Sequence, residues 1–147
     1  MDQTAIEARI PHRPPFLLVS RVLEVSETSI VSEWDLDPEA AFFAGHYPGN
    51  PIVPGVLLNE FVFQSAALFM SELMKADKTI QGMPVLTRIE DARFKNIVRP
   101  GETVRAELTL TEKLGPAVFM KAKVTCGGKL AVRLSFTVAI AATDPSK

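Results

Sequence analysis

The 147-residue chain has little of what builds covalent or metal frameworks: one cysteine and two histidines. A lone Cys126 excludes an intramolecular disulfide framework and points to a reducing compartment. Two histidines and one cysteine offer no metal-ligand spacing, so no metal is expected. Cys126 ends an apolar run before Gly127-Gly128 and has no activating neighbour in sequence, so it reads as buried and inert. The opening residues, MDQTAIEARIPHR, carry acids and no apolar core. They do not read as a signal peptide, and a cytoplasmic location is expected. There is no arginine-rich tail, and aromatics do not interleave with basic residues, which argues against nucleic acid. No repeat, linker or low-complexity tract interrupts the chain, and one domain over residues 1–147 is expected.

What is present is 47% hydrophobic and 22% charged, the composition of a globular chain with a real core. The net charge of −1 hides an asymmetry. Residues 1–74 hold three basic and ten acidic side chains, and residues 75–147 hold thirteen basic and seven acidic. Lys113 to Arg133 contains five basic residues and no acid. Such a run is either a solvated sheet face or a patch that meets an acidic partner or phosphate.

Hydrophobic periodicity divides the chain. Residues 2–9 suggest a short helix ended by Pro11. Residues 16–25 and 28–36 read as a strand hairpin. Asp37-Pro38-Glu39 looks like a helix start, with a short helix through Phe43. Val56 to Met74 has thirteen apolar residues out of nineteen and no Gly or Pro, the mark of a buried helix. It is about long enough to span a membrane, but Asn59, Glu60, Gln64 and Glu72 argue against lipid contact, and no membrane insertion is expected. After Gly82 the period changes to two. MPVLTRIEDARF, TVRAELTLTEKL, AVFMKAKVTC and KLAVRLSFTVAI predict four strands separated by Gly and Pro turns. The expected class is α+β: an antiparallel sheet of about six strands curled round one long helix.

Between hairpin and helix lies GHYPGNPIVPG, residues 45–55, with three prolines and three glycines in eleven positions. It can only be a loop with a closely specified path, and it carries His46. Glu60 and Gln64 follow at i and i+4 on one helix face. A neutral histidine is a base, a glutamate in apolar surroundings is a candidate acid, and a helix start offers free N–H groups to a carbonyl oxygen. Together they suit proton abstraction α to a carbonyl with loss or gain of a group at β. Singly, a loop histidine bonded to backbone and a glutamate reaching solvent are the blander readings.

GHYPGNPIVPGVLLNE resembles the signature of the hot-dog-fold (3R)-hydroxyacyl-acyl-carrier-protein dehydratases. IPHRPPFLLVSRVLEV and DARFKNIVRPGETV resemble the flanking segments of that family in order and spacing. The resemblance implies that His46 removes the α proton of a 3-hydroxyacyl thioester and that Glu60 protonates the departing hydroxyl. It implies that the N–H at Gly55, beside Val56, holds the thioester oxygen, that the Ile52 carbonyl fixes the histidine tautomer, and that Gln64 supports Glu60. It also implies a homodimer that joins acid and base across subunits, further assembly into hexamers, no cofactor, and acyl carrier protein as partner. Arg93, Lys95, Arg99, Lys121 and Lys123 are then candidates to dock the carrier. The sequence departs from the family pattern at Pro14, Ser20, Asn59, Phe61 and Phe63. Ser20 stands for an aspartate beside Arg21, and the two phenylalanines either shorten an acyl tunnel or repack the core. A divergent paralogue acting in fatty acid synthesis or a related specialised lipid or polyketide synthesis is expected. Two other functions share this fold, an acyl thioesterase and a non-catalytic acyl or carrier-protein binder. The paired His46 and Glu60 favour the dehydratase, and Glu60, where isomerising relatives carry aspartate, argues against double-bond isomerisation.

Overall fold

A computed structural model describes residues 1–142. Its elements are α1 (Gln3–Glu7), β1 (Arg21–Val25), β2 (Ser29–Asp35), a single 3-10 turn (Ala41–Ala44), α2 (Gly55–Ala76), β3 (Met83–Phe94), β4 (Thr103–Leu114), β5 (Ala117–Cys126) and β6 (Lys129–Ala141). The six strands form one antiparallel sheet in the order β1-β2-β4-β5-β6-β3. β3, which follows α2 in the chain, crosses to the far edge and pairs with β6.

The period-two pattern decides which face curls inward. Val104, Ala106 and Leu108 of β4, Val118, Met120 and Val124 of β5, and Val132, Leu134 and Phe136 of β6 are buried. They close on Phe61, Val62, Leu68, Phe69 and Met70 of α2 in a single apolar cluster. A buried hydrogen bond between Ser65 and Ser32, 2.6 Å, fastens helix to sheet. α2 is apolar and long enough to span a membrane, yet half of that stretch is buried inside the protein's own sheet. Gly127 and Gly128 both have positive φ, 56° and 80°, and link Cys126 to its cross-strand partner Lys129. That is the two-residue hairpin geometry glycine allows without strain.

Two sequence expectations shift. The strand expected from Phe16 begins only at Arg21, because the backbone ahead of it bonds a side chain instead of a ladder: Gln64 takes the Phe16 carbonyl and the Leu18 N–H. The helix expected after Asp37 is reduced to the 3-10 turn. The Asp37 carboxylate accepts from Glu39 N–H at 2.9 Å, a local turn that competes with helix. The first of these regions is thereby tied to α2, where the candidate site lies.

Candidate active site

The loop before α2 is pinned by backbone bonds. Ile52 N–H donates to the His46 carbonyl at 3.0 Å, Asn50 N–H to Tyr47 at 3.0 Å, and Val53 N–H to the Val98 carbonyl at 2.8 Å. Arg99 adds a bond from Nη1 to Asn50 Oδ1 at 2.9 Å. His46 Nδ1 lies 3.1 Å from the Ile52 carbonyl oxygen. A carbonyl only accepts, so this contact places a ring hydrogen on Nδ1, and in the neutral imidazole Nε2 is then the acceptor.

Pro54 precedes α2, and no side chain caps the helix start. The first N–H groups, at Gly55 and Val56, are therefore left for another acceptor. Gly55 is required by its neighbour: a methyl group there would sit 2.7 Å from Phe94 Cε1 and 2.9 Å from Cδ1. Phe94 is 52% exposed. With Ile52, Gly55, Val56, Lys95 and Ile97 it lines a cavity of about 450 Å³ at the head of the helix.

Glu60 lies on α2, half-buried. Its Oε1 accepts from Gln64 Nε2 at 3.0 Å. Gln64 is 1% exposed; the same Nε2 donates to Phe16 O at 2.8 Å, and its Oε1 accepts from Leu18 N–H at 2.8 Å. A second histidine joins them: His12 Nε2 is 3.9 Å from Glu60 Oε1. The sequence contained His12 in the PHR segment, but no spacing rule links position 12 to position 60. Among the described residues, no hydrogen bond or ion pair joins His46 to Glu60 of the same chain.

The basic candidates fall into two groups. Lys95 lines the cavity beside Gly55, and Arg99 braces the His46 loop. Arg93 and Lys123 lie on the outer sheet face in one row with Arg133, with Asp91 2.9 Å from Arg93 and Glu107 3.1 Å from Lys123. Lys121 lines a shallow polar pocket with Asp91 and Arg133.

Of the departures from the family pattern, the two phenylalanines pack against aromatic rings of the core. Phe61 is fully buried, its ring 5.8 Å from that of Trp34, while Phe63 meets Phe136 edge-on at 5.4 Å. Ser20 Oγ accepts from Asp35 N–H at 2.9 Å. Arg21 pairs with both Asp35 and Glu33, and that guanidinium holds the Asp35 carboxyl below its ordinary range. Asn59 Oδ1 is buried without a partner. Pro14 lines a separate cavity with Phe16, Trp34 and Phe42. Cys126 is only partly buried. Desolvation, with the Glu102 carboxylate beside it, pushes its thiol up to about 11, which keeps it protonated. Among the described residues no cluster of three or more His, Cys, Asp or Glu is placed to hold a metal ion.

Comparison with known proteins places this geometry. The FabA-like domain model matches residues 10–135. The 3-hydroxyacyl-(acyl-carrier-protein) dehydratase FabZ of Caulobacter vibrioides is 38% identical over 149 aligned positions, covering 99% of this chain and 91% of that protein. FabZ of Chloroflexus aggregans is 38% identical over 144, covering 97% and 96%. FabZ of Clostridium perfringens is 36% identical over 131, covering 89% and 92%. In structure, the dehydratase heterocomplex ApeI:P of Xenorhabdus doucetiae superposes with a TM-score of 0.78 at 14% identity, covering 96% of this chain and 92% of that one. An uncharacterised protein of Pyrococcus horikoshii, PH1136, gives 0.69 at 16%, covering 91% and 92%. At those identities the structures speak for the hot-dog fold alone.

Proposed function

The chain belongs to the FabA-like family and is a 3-hydroxyacyl-acyl-carrier-protein dehydratase of fatty acid synthesis; from that premise we propose that His46 is its base and Glu60 its acid. His46 Nε2 takes the α proton, and the electron pair moves onto the thioester oxygen. The Gly55 N–H at the positive end of α2 stabilises that oxygen. Glu60 gives its proton to the 3-hydroxyl, which leaves as water, and a trans-2-enoyl thioester remains. Proton in and proton out balance, and the thioester already acidifies the α carbon, so the scheme needs no cofactor. The single observation that carries the reading is the Nδ1 contact of His46 with the Ile52 carbonyl, which turns Nε2 outward as a base.

Acid and base meet across a homodimer in this proposal. β3 supports it: this long strand forms one edge of the sheet and exposes Met83, Leu86, Ile89 and Phe94, an apolar edge that calls for a cover. Pairing of β3 with its symmetry mate supplies one, and three such dimers form a hexamer. The acyl carrier protein docks at the cavity mouth by Lys95 and Arg99, with Arg93, Lys121 and Lys123 on the outer face as a wider cationic field. The reaction takes place in the cytoplasm.

The test is hydration of trans-2-enoyl thioesters of several chain lengths on carrier protein, followed by loss of enoyl absorbance. Wild type is expected to be active, and His46→Ala and Glu60→Gln to lose about 10³-fold in kcat, within the range for a positioned acid or base. Activity retained in both variants would refute the assignment. Release of free thiol from the substrate would mark a thioesterase instead.

A further inference from the structure

Glu60 has two oxygens, and the protein treats them differently. Oε1 faces two donors, Gln64 Nε2 at 3.0 Å and His12 Nε2 at 3.9 Å. Oε2 makes no hydrogen bond among the described residues. The His12 ring is held in place by stacking on Phe16, with centroids 6.3 Å apart and planes 18° from parallel. Phe16 is in turn tied to Gln64 through its carbonyl. His12, Phe16, Gln64 and Glu60 thus form one closed set, linking the segment ahead of β1 to the helix. His12 Nδ1 is buried and has no partner. An imidazole in that setting is best served by carrying its hydrogen on Nε2, since a bare acceptor costs less to bury unpaired than an unmatched donor. The hydrogen then points toward Oε1. A side-chain movement of roughly 1 Å closes 3.9 Å to hydrogen-bond length, the kind of tightening expected on substrate binding.

We propose that His12 is a positioning residue for Glu60: its Nε2–H and the Gln64 amide together occupy Oε1, so that Oε2 carries the proton and presents it to the departing hydroxyl. The inference rests on Glu60 being the acid. It adds a third side chain to the acid half of the site and assigns the proton to one oxygen.

The experiment compares His12→Phe, which keeps the ring and the stack but loses the donor, with His12→Gln, which restores an N–H within reach of Oε1. Each is measured in wild-type and Glu60→Asp backgrounds, in which the shortened carboxylate draws away from position 12. His12→Phe is expected to lower kcat about tenfold with KM changed less than twofold. His12→Gln should recover most of that loss, and His12→Phe should cost less than twofold in the Glu60→Asp background. Equal losses in Phe and Gln, or the same loss in both backgrounds, would reduce His12 to a packing residue and overturn the proposal. Should His12→Phe fail to fold, His12→Asn, too short to reach Oε1, takes its place with the same outcomes. Glu60→Gln alone separates the two ideas. If it leaves the rate unchanged, the acid assignment itself has failed. If it abolishes activity while His12→Phe does nothing, only the role of His12 has failed.

Discussion

The base and the acid of this site are held in opposite ways. His46 is fixed mainly from within its own loop, by a carbonyl six residues away and by backbone bonds inside residues 46–52, with two outside braces at Val98 and Arg99. Glu60 is fixed from outside its helix, through Gln64, by backbone 46 and 48 residues earlier in the chain. Local fixing depends mostly on proline and glycine and only in part on the rest of the fold. Remote fixing depends on the whole fold and couples the acid to stability.

The sharpest way to test that contrast is Gly55→Ala, which strikes the junction of the two halves. The added methyl meets the Phe94 ring and displaces the N–H from the thioester oxygen. The expected loss in kcat is about 10²-fold, the scale for removing one oxyanion donor, and the Gly55→Ala, Phe94→Ala double variant should recover part of it in steady-state assays. Next is Gln64→Leu, which strands the buried Leu18 N–H and takes the donor from the part-buried Phe16 carbonyl. It should cost about 2–4 kcal/mol in chemical denaturation and lower activity with it. Pro48→Ala is the counterpart on the local side. Melting should register less than about 1 kcal/mol, while kcat falls because the loop wanders. If Pro48→Ala cost as much stability as Gln64→Leu, the contrast would collapse. Lys95→Glu is expected to weaken turnover several-fold on carrier-bound substrate and to spare a short pantetheine thioester; equal loss on both would remove Lys95 from docking.

The smallest effect concerns Cys126, which belongs to neither half. Its thiol is raised in the fold to about 11, so the folded state holds its proton more tightly than the unfolded chain. That stabilising contribution is complete below the ordinary thiol range and fades as pH rises through about 11. Alkylation at pH 8 should therefore be slow in native protein and fast in urea.

Legibility in the sequence follows the same division. The four later strands, the buried helix and the path of the His46 loop were readable because each is encoded by neighbours: period two, an apolar run, Pro and Gly at fixed offsets. The contact between His46 and the Ile52 carbonyl was implied by the family resemblance rather than by any such pattern. His12 was not readable, because its link to Glu60 spans 48 positions and no periodicity connects them. The strand expected at Phe16 failed for the same reason, since Gln64 competes for that backbone. Phe61 could not be aimed from sequence either. Its direction is set by Trp34 of β2, a contact only the closed sheet creates.

The carboxylate that Arg21 needs is supplied by Asp35 and Glu33, while Ser20 serves the Asp35 backbone. Ser20→Asp would therefore not supply Arg21 with a partner it lacks. It would crowd a third negative charge round one guanidinium and replace a hydroxyl that already has an assigned donor. The two positions are therefore coupled, and the cost of a change at one depends on what stands at the other.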